Sequence, residues 1–264
     1  KYFMKIDYSP SHQKIYAENL NVILFLQTHG IDFVGNVIKN KKKENFIIFH
    51  NGELAIFDYI DGDHCQNYDK TKLFKSLAQI YSISHSNIKV KQEDFSIDCA
   101  HYVLENINCL NDLIDYRMIL QYANRLIELS KRCKSNLNGL FITHGDCGGN
   151  IIKRGEKLYI TDWDNPKLAA PERDIWQLVC NYSDILMFNT ILSNMGINYS
   201  IQKSRLAFYA YYNYFYYLKE HLVQYKNTDD VMMLRRTRCF IRHFFPRGWI
   251  NQQINTIEGI YNEL

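Results

Sequence analysis

A chain of 264 residues, 47% of them hydrophobic and 22% charged, is long enough for one large or two modest domains and too apolar for wholesale disorder. Lys and Arg number 31 against 28 Asp and Glu, a formal charge of +3, which excludes a nucleic-acid or anionic-membrane binder built on net charge alone; only a local patch would reopen that class. No uninterrupted apolar run approaches the roughly 18–20 residues of a membrane span, and no signal-peptide pattern is visible. Seven cysteines (residues 65, 99, 109, 133, 147, 180 and 239) include no CxxC pair and are odd in number. They read as reduced thiols of a cytoplasmic protein, not as a disulfide scaffold or a zinc site.

Tyr2 to Ile6 opens the chain with a strand pattern around one lysine. Ser9-Pro10-Ser11 is a turn and helix start, and Ile15, Leu20, Ile23, Leu24 and Leu26 keep helical spacing up to a stop at His29-Gly30. A strand is expected around Val34 to Ile38, then a lysine-rich turn over 39–43 that reads as a solvated hairpin end. Strands Phe46 to Phe49 and Leu54 to Ile60 follow, joined by a tight turn at Asn51-Gly52. Asp61-Gly62-Asp63 breaks the pattern. Beyond it Leu73, Leu77, Ile80 and Tyr81 mark one amphipathic helix face, and Ile119, Leu126 and Ile127 another. Two strands, Leu140 to Thr143 and Lys157 to Asp162, interrupt the helices, which resume from Asp174 to the end. A small strand-rich segment therefore precedes a large helical one, with the boundary near residue 62, giving segments 1–62 and 63–264.

The chemistry gathers in Phe141-Ile-Thr-His-Gly-Asp-Cys-Gly-Gly-Asn150 and Lys157-Leu-Tyr-Ile-Thr-Asp-Trp-Asp164. One strand delivers His-Gly-Asp into a glycine-containing loop, and the next ends on Asp162. This pattern brings a carboxylate, an amide oxygen and a second carboxylate to adjacent strand ends. Phosphoryl transfer needs that kit: one carboxylate to orient a hydroxyl, and hard oxygen ligands for Mg²⁺ on nucleotide phosphates. After Asp162 there is no Asp-Phe-Gly and no activation-loop run, only seven residues separating it from Ala170-Pro171-Glu172, which disfavours a protein kinase.

The His144-Gly145-Asp146…Asn150 loop, the Asp162-Trp163-Asp164 strand end, Arg173-Asp174, and Lys5 with Glu18 thirteen residues later resemble the aminoglycoside phosphotransferase and choline kinase-like family. The run from Tyr159 to Asp174 looks closest to its spectinomycin phosphotransferase branch. The resemblance implies an α+β, bilobal, protein-kinase-like fold, with a small β-rich N-lobe over 1–62 and a larger, mainly helical C-lobe over 63–264. It implies Asp146 as catalytic base, Asn150 and Asp162 as Mg²⁺ ligands, and Lys5 on the α/β-phosphates of ATP (or GTP), pinned by Glu18. Asp58, Tyr59 and Ile60 would form the adenine hinge. Asp164 would assist the metal or stand aside, and Asp174 would brace the loop. His144 reads as structural and Cys147 as an unreactive thiol.

Three departures accompany the resemblance. Asn150 follows Asp146 by four residues where the family spacing is five. The strands and phosphate-covering turn that precede the lysine strand in kinase-like lobes have no counterpart before Lys5, so a preceding stretch of chain is expected. The Phe208 to Tyr217 helix carries tyrosines where the spectinomycin branch carries charges; they either line a pocket for a cationic or sugar-like substrate or pack between helices. Glu220, Asp229 and Asp230 either attract an aminated substrate or, the favoured reading, are surface charge. The implied activity is ATP-dependent phosphorylation of an aminoglycoside or aminocyclitol hydroxyl, of the antibiotic-resistance type, with no nucleic-acid or membrane partner. The alternatives are a kinase for choline, another amino alcohol or a sugar, and a non-catalytic kinase-like binding protein.

Overall fold

The computed structural model describes residues 1–8, 10–64, 67–110, 113–135 and 138–262. Ser9 of the expected helix start and Cys65 lie outside them. In chain order the elements are β1 (Tyr2–Asp7), α1 (Pro10–Thr28), β2 (Ile47–Phe49), β3 (Gly52–Asp58), β4 (Asp63–His64), α2 (Lys70–Tyr81), α3 (Asp98–Glu105), a 3₁₀ turn (Ile107–Leu110) and α4 (Tyr116–Lys134). There follow β5 (Phe141–Thr143), β6 (Ile151–Arg154), β7 (Lys157–Ile160), β8 (Lys167–Ala169), α5 (Glu172–Ile175), α6 (Tyr182–Asn194), α7 (Lys203–Asn227), α8 (Val231–Arg247) and α9 (Trp249–Asn262). The strands form three small sheets, β1-β3-β2, β4-β6-β7 and β5-β8, all with antiparallel neighbours, so the class is α+β.

Contacts divide the chain into two units. The first comprises Lys1–Glu93, Gly139–Asp174 and Met187–Ser200; the second comprises Asp94–Asn138, Ile175–Leu186 and Ile201–Leu264.

In the first unit β3 is the central strand, with Lys5 opposite Ala55 and Tyr2 opposite Asp58. The β2–β3 turn is His50-Asn51, both at positive φ (46° and 65°), where the sequence pointed to Asn51-Gly52. Gly52 is instead the first strand residue. A Cβ there would come within 2.8 Å of the Tyr8 ring and 2.9 Å of Ile6, so the close approach, not the turn, selects glycine. Helix α1 stops as expected: Gly30 is left-handed (φ 83°) and the Ile31 N–H returns to the Leu26 carbonyl at 3.0 Å. The expected strand at 34–38 is reduced to two single bridges, Val34 to Ile160 and Val37 to Phe57. The segment passes from one sheet to another, so neither supplies a continuous ladder. The lysine turn is solvated and is organised by Asn40, whose Oδ1 accepts from the Lys42 and Glu44 N–H groups.

Asp69 caps α2 by accepting from the Thr71 N–H at 2.8 Å, worth about 1 kcal/mol. Leu73, Phe74 and Leu77 are fully buried on its inner face, each contributing roughly 1.5–3 kcal/mol. Phe74 meets Phe188 at 4.7 Å and Tyr81 meets Phe141 at 5.4 Å, which seats α2 against the strand leading into the Asp146 loop.

The second unit is helical, with α7 packed against α3, α4, α8 and α9. Of the two readings open from sequence for the α7 tyrosines, the ring contacts show packing between helices. Tyr209, Tyr211 and Tyr214 are buried; Tyr211 and Tyr214 meet the Tyr122 ring edge-on at 5.0 and 5.1 Å, which is packing between helices. Tyr212 and Tyr216 are half-buried and continue a stack from Phe208.

Candidate active site

Strand β5 ends at Thr143 and the chain turns at once through Gly145, whose φ is 94°. A Cβ at Gly145 would lie 2.3 Å from the Arg173 guanidinium, so neither the dihedral nor the space admits another residue. Arg173 donates to the Thr143 hydroxyl at 3.0 Å and to the Asn165 carbonyl at 2.8 Å. Asp174, 2% exposed, accepts from the Gly145 N–H at 2.6 Å, the His144 N–H at 3.2 Å and the Tyr81 hydroxyl at 2.7 Å. A buried carboxylate with three donors is well satisfied, and here it clamps the loop backbone as expected.

His144 Nδ1 accepts from the Asp146 N–H at 3.1 Å, so the ring proton sits on Nε2 and is donated to the Thr161 carbonyl at 2.7 Å. Burial holds the imidazole below its ordinary value despite the nearby Asp174, Thr161 carbonyl and Asp146. It is therefore a neutral strut between the Asp146 loop and the end of β7. Cys147 is buried beside it; burial first, then Asp174 and Asp146, push its thiol well up, so it stays protonated.

Asn150, four residues after Asp146, makes two sets of bonds. Its Nδ2 donates to the Asp146 carbonyl at 2.9 Å and to Asp146 Oδ2 at 3.3 Å, while its own carbonyl accepts from the Thr161 N–H at 2.9 Å and hydroxyl at 3.1 Å. The loop and β7 are thus sewn together one residue before Asp162. With Nδ2 committed to Asp146, the side-chain oxygen is the atom of Asn150 left for a ligand.

Asp162 has a φ of 65°, a left-handed conformation tolerated by Asp and uncommon elsewhere. The next residue, Trp163, is 3% exposed, donates to the Ile160 carbonyl at 3.0 Å and lies edge-on to His144 at 4.8 Å. Anchoring the tryptophan inward leaves Asp162 and Asp164 on either side to reach the same cation: both carboxylates pair with Lys5. Burial alone would lower the Lys5 ammonium, but the bonds to Asp162 and Asp164 outweigh it and the net shift is upward. Asp164 is pushed above the ordinary carboxylate range by burial, and by Asp162 beside it, against the opposing pull of Lys5. Two carboxylates share one ammonium, leaving a surplus negative charge.

Lys5, Asn150, Asp162 and Asp164 line a cavity of about 360 Å³, together with Asp58, Tyr59 and Ile60. From the β1–β3 register, Asp58 lies three residue pairs from the Lys5 level, about 10 Å along the sheet. The Asp58 N–H and carboxylate are both engaged by Asn36, at 2.9 and 2.7 Å.

Glu18 is not brought to Lys5. Its Oε1 lies 3.3 Å from the ammonium of Lys89, a side chain 92% exposed. The residue that α1 turns toward the cavity is the next one, Asn19, 8% exposed, which donates to the Asp164 carbonyl. Neither Asn19 nor the Tyr81 brace was identified from sequence. The signal available for Asn19 was its place one residue beyond the acidic candidate, a rotation of about 100° around the helix.

The donors facing the cavity are carboxylate and amide oxygens, the hard set that suits Mg²⁺, and the unneutralised charge at Lys5 favours a further cation. Among the described residues no three or more His, Cys, Asp or Glu side chains converge as a self-contained metal cage. Mg²⁺ commonly takes one or two carboxylates and completes its shell with water and substrate phosphate, so the residues fit.

No protein-family model and no curated protein matches the chain. Solved structures do. A spectinomycin phosphotransferase, APH(9)-Ia, in complex with ADP and spectinomycin, superposes with a TM-score of 0.75 at 18% identity, covering 97% of this chain and 86% of that one. The choline kinase LicA from Streptococcus pneumoniae gives 0.60 at 13% identity, with 98% and 86% covered. The macrolide 2'-phosphotransferase MphH from Brachybacterium faecium gives 0.58 at 10%, with 92% and 84% covered. The resemblance carried by the His144–Asp174 motifs thus holds at the level of fold: this chain has the fold shared by the aminoglycoside phosphotransferase and choline kinase structures.

Proposed function

We propose that the chain is a small-molecule O-phosphotransferase that moves the γ-phosphate of ATP, or of GTP, to a hydroxyl of an aminoglycoside or aminocyclitol. The observation that carries this reading is the junction of Asp146, Asn150 and Thr161, which ties the loop carboxylate to the strand end leading to Asp162 and Lys5, the cavity itself being lined by Asn150, Thr161, Asp162 and Lys5. Two neighbours of the same fold, crystallised with ADP or AMP, support a nucleotide in such a cavity.

In this reading residues 1–62 act as the nucleotide lobe, and 63–264 bring the catalytic loop and the acceptor. The backbone near Asp58, Tyr59 and Ile60 meets the base, and Lys5 leaves its two aspartates for the α/β-phosphates. Glu18 pins Lys5 in that state; its bond to exposed Lys89 is weakly held in water and exchanges readily. Asn150 and Asp162 hold Mg²⁺, which when bound neutralises phosphate charge. Asp146 orients the acceptor hydroxyl and takes its proton as the oxygen bonds to the γ-phosphorus and the β–γ bridge oxygen departs with the diphosphate. The braces at His144, Arg173 and Asp174 fix Asp146 in advance, so its contribution is positional as well as basic.

The implied setting is a cytoplasmic enzyme of antibiotic resistance. The choline kinase neighbour keeps an amino-alcohol acceptor as the second reading. The Lys5 triad and the distant Glu18 are what a non-catalytic nucleotide-binding relative would retain. A phosphate-transfer screen against spectinomycin, aminoglycosides, choline and sugars separates the three. Transfer to an aminocyclitol or aminoglycoside supports the proposal, transfer to choline alone moves it to the second reading, and nucleotide binding without transfer to any acceptor favours the third.

A further inference from the structure

Helix α8 carries five arginines (235, 236, 238, 242 and 247) and no Asp or Glu, in a chain whose whole excess is +3. All five are exposed, while Thr237, Ile241 and Phe245 form the buried stripe. The spacing sorts the outer face. Arg235, Arg238 and Arg242 follow one flank at intervals of three and four; Arg236, His243 and Arg247 follow the other at seven and four. Met232 and Cys239 fall between them.

The contrast with α4 in the same unit is informative. There Arg125 pairs with Glu128 and Glu258, and Arg132 with Glu128. On α8 none of Arg235, Arg236, Arg242 or Arg247 has a carboxylate within 4.0 Å among the described residues. The nearest acid in sequence, Asp230, serves as the helix cap, accepting from the Met232 N–H at 2.8 Å. Like charges at such spacing repel and weaken a helix, so the fold bears a cost that an anionic partner would remove. Apolar side chains are interleaved with the charge: Met232 is 72% exposed, Met233 43% and Phe240 39%, with Trp249 at 43% just beyond the helix.

We propose that the outer face of α8 docks on an anionic lipid surface, lying in the headgroup layer with its arginines on lipid phosphates. A polyanion in water would satisfy the guanidinium groups but leave Met232, Met233 and Phe240 wet; a headgroup layer takes both. No helix among the described residues is long and apolar enough to cross a membrane, so the contact lies on the surface. This is the local patch that the modest net charge left open. It is independent of the nucleotide site, since no α8 residue lines that cavity.

The test is sedimentation of the full chain with vesicles of phosphatidylcholine alone and of equal parts phosphatidylcholine and phosphatidylglycerol. Binding is expected to the charged vesicles only, and to fall as salt rises. The R235Q/R236Q/R242Q triple should weaken it about 100-fold, at roughly fivefold per arginine. The matching triple to lysine should retain it and keep the wild-type melting temperature, while the glutamine triple, relieved of like-charge repulsion, should melt at the wild-type temperature or slightly above. M232S/M233S should weaken binding without changing its salt dependence. Should the glutamine triple not fold, the salt series and the methionine pair decide. Equal binding to both vesicles, no binding to either, an unaffected glutamine triple, or tighter retention by a single-stranded RNA oligomer than by charged vesicles would each overturn the proposal.

Discussion

Asp146 and Lys5 lie at the two ends of the Asn150–Thr161–Asp162 junction but are held in opposite ways. The Asp146 loop is tied to buried partners on three sides: Asp174 beneath its backbone, Arg173 over Gly145, and neutral His144 between its N–H and the Thr161 carbonyl. Lys5 rests on two carboxylates, Asp162 and Asp164, whose side chains are 48% and 39% exposed, and the helix acid expected to pin it, Glu18, faces Lys89. Bonds among buried neutral and charged groups define one geometry, because breaking them strands a desolvated donor or acceptor. Half-solvated ion pairs define a charge balance and exchange partners at small cost. Under the proposed function, the acceptor side would therefore be built in advance and the nucleotide side completed by its ligand.

The largest expected effect breaks the built side at its chemistry. Asp146→Asn keeps the shape but removes the charge and basicity, and should lower kcat by about 10² to 10⁴ with nucleotide affinity nearly unchanged. Steady-state kinetics on the identified acceptor, with nucleotide titrations alongside, check this. Near wild-type kcat with chemistry rate-limiting would remove Asp146 from the mechanism.

Next comes the brace. Asp174→Ala leaves the His144 and Gly145 N–H groups and the Tyr81 hydroxyl without their acceptor, and unpaired buried donors cost about 1–3 kcal/mol each. A loss of about 3 kcal/mol or more in urea unfolding is expected. A loss below about 1 kcal/mol would mean the loop is held by something else.

A smaller effect appears in pH dependence. Because burial depresses the folded-state value of His144, its contribution is complete above the unfolded value near 6.5 and is lost as pH falls through that value toward the folded one. The limb has a slope of up to about 1.4 kcal/mol per pH unit. Urea unfolding between about pH 7.5 and 5.5 should show this extra acid sensitivity in the wild type and lack it in His144→Gln. Parallel curves would mean that folding does not shift the imidazole, and a wild type that instead loses stability as pH rises would mean that it is held charged in the fold.

The smallest expected effect lies on the exchangeable side. Glu18→Gln should weaken nucleotide binding only a few-fold, as expected for a partly solvated ion pair. Lys89→Ala, which frees Glu18, should leave binding unchanged or slightly tighter. A calorimetric loss beyond about tenfold for Glu18→Gln would make Glu18 a fixed anchor and erase the distinction between the two sides.

What was legible in the sequence follows the same division. The lysine strand, the first helix, the His-Gly-Asp loop and the Asp162 strand end are local patterns in which residue type, spacing and turn chemistry agree. The partners of Lys5 were not legible, because an acid on a helix announces its charge and not its direction, and one residue separates Glu18 from Asn19. The strand expected at 34–38 carries strand-like residues but serves two sheets, a fact of tertiary pairing. The His50-Asn51 turn was displaced by one residue because Gly52 answers a contact with Tyr8 from another strand end. The tyrosines of α7 gave no means of telling buried from half-buried before their neighbours were known.

The most direct measurement of the central claim is a crystal structure of the chain with Mg²⁺ and a non-hydrolysable ATP analogue. The expected result has Lys5 moved from Asp164 onto the α/β-phosphates, Asn150 and Asp162 oxygens on the metal, and the Asp146 loop superposing on its present position. Lys5 still bridging Asp162 and Asp164, with the nucleotide elsewhere or the loop rearranged, would contradict a preformed acceptor side completed by its nucleotide.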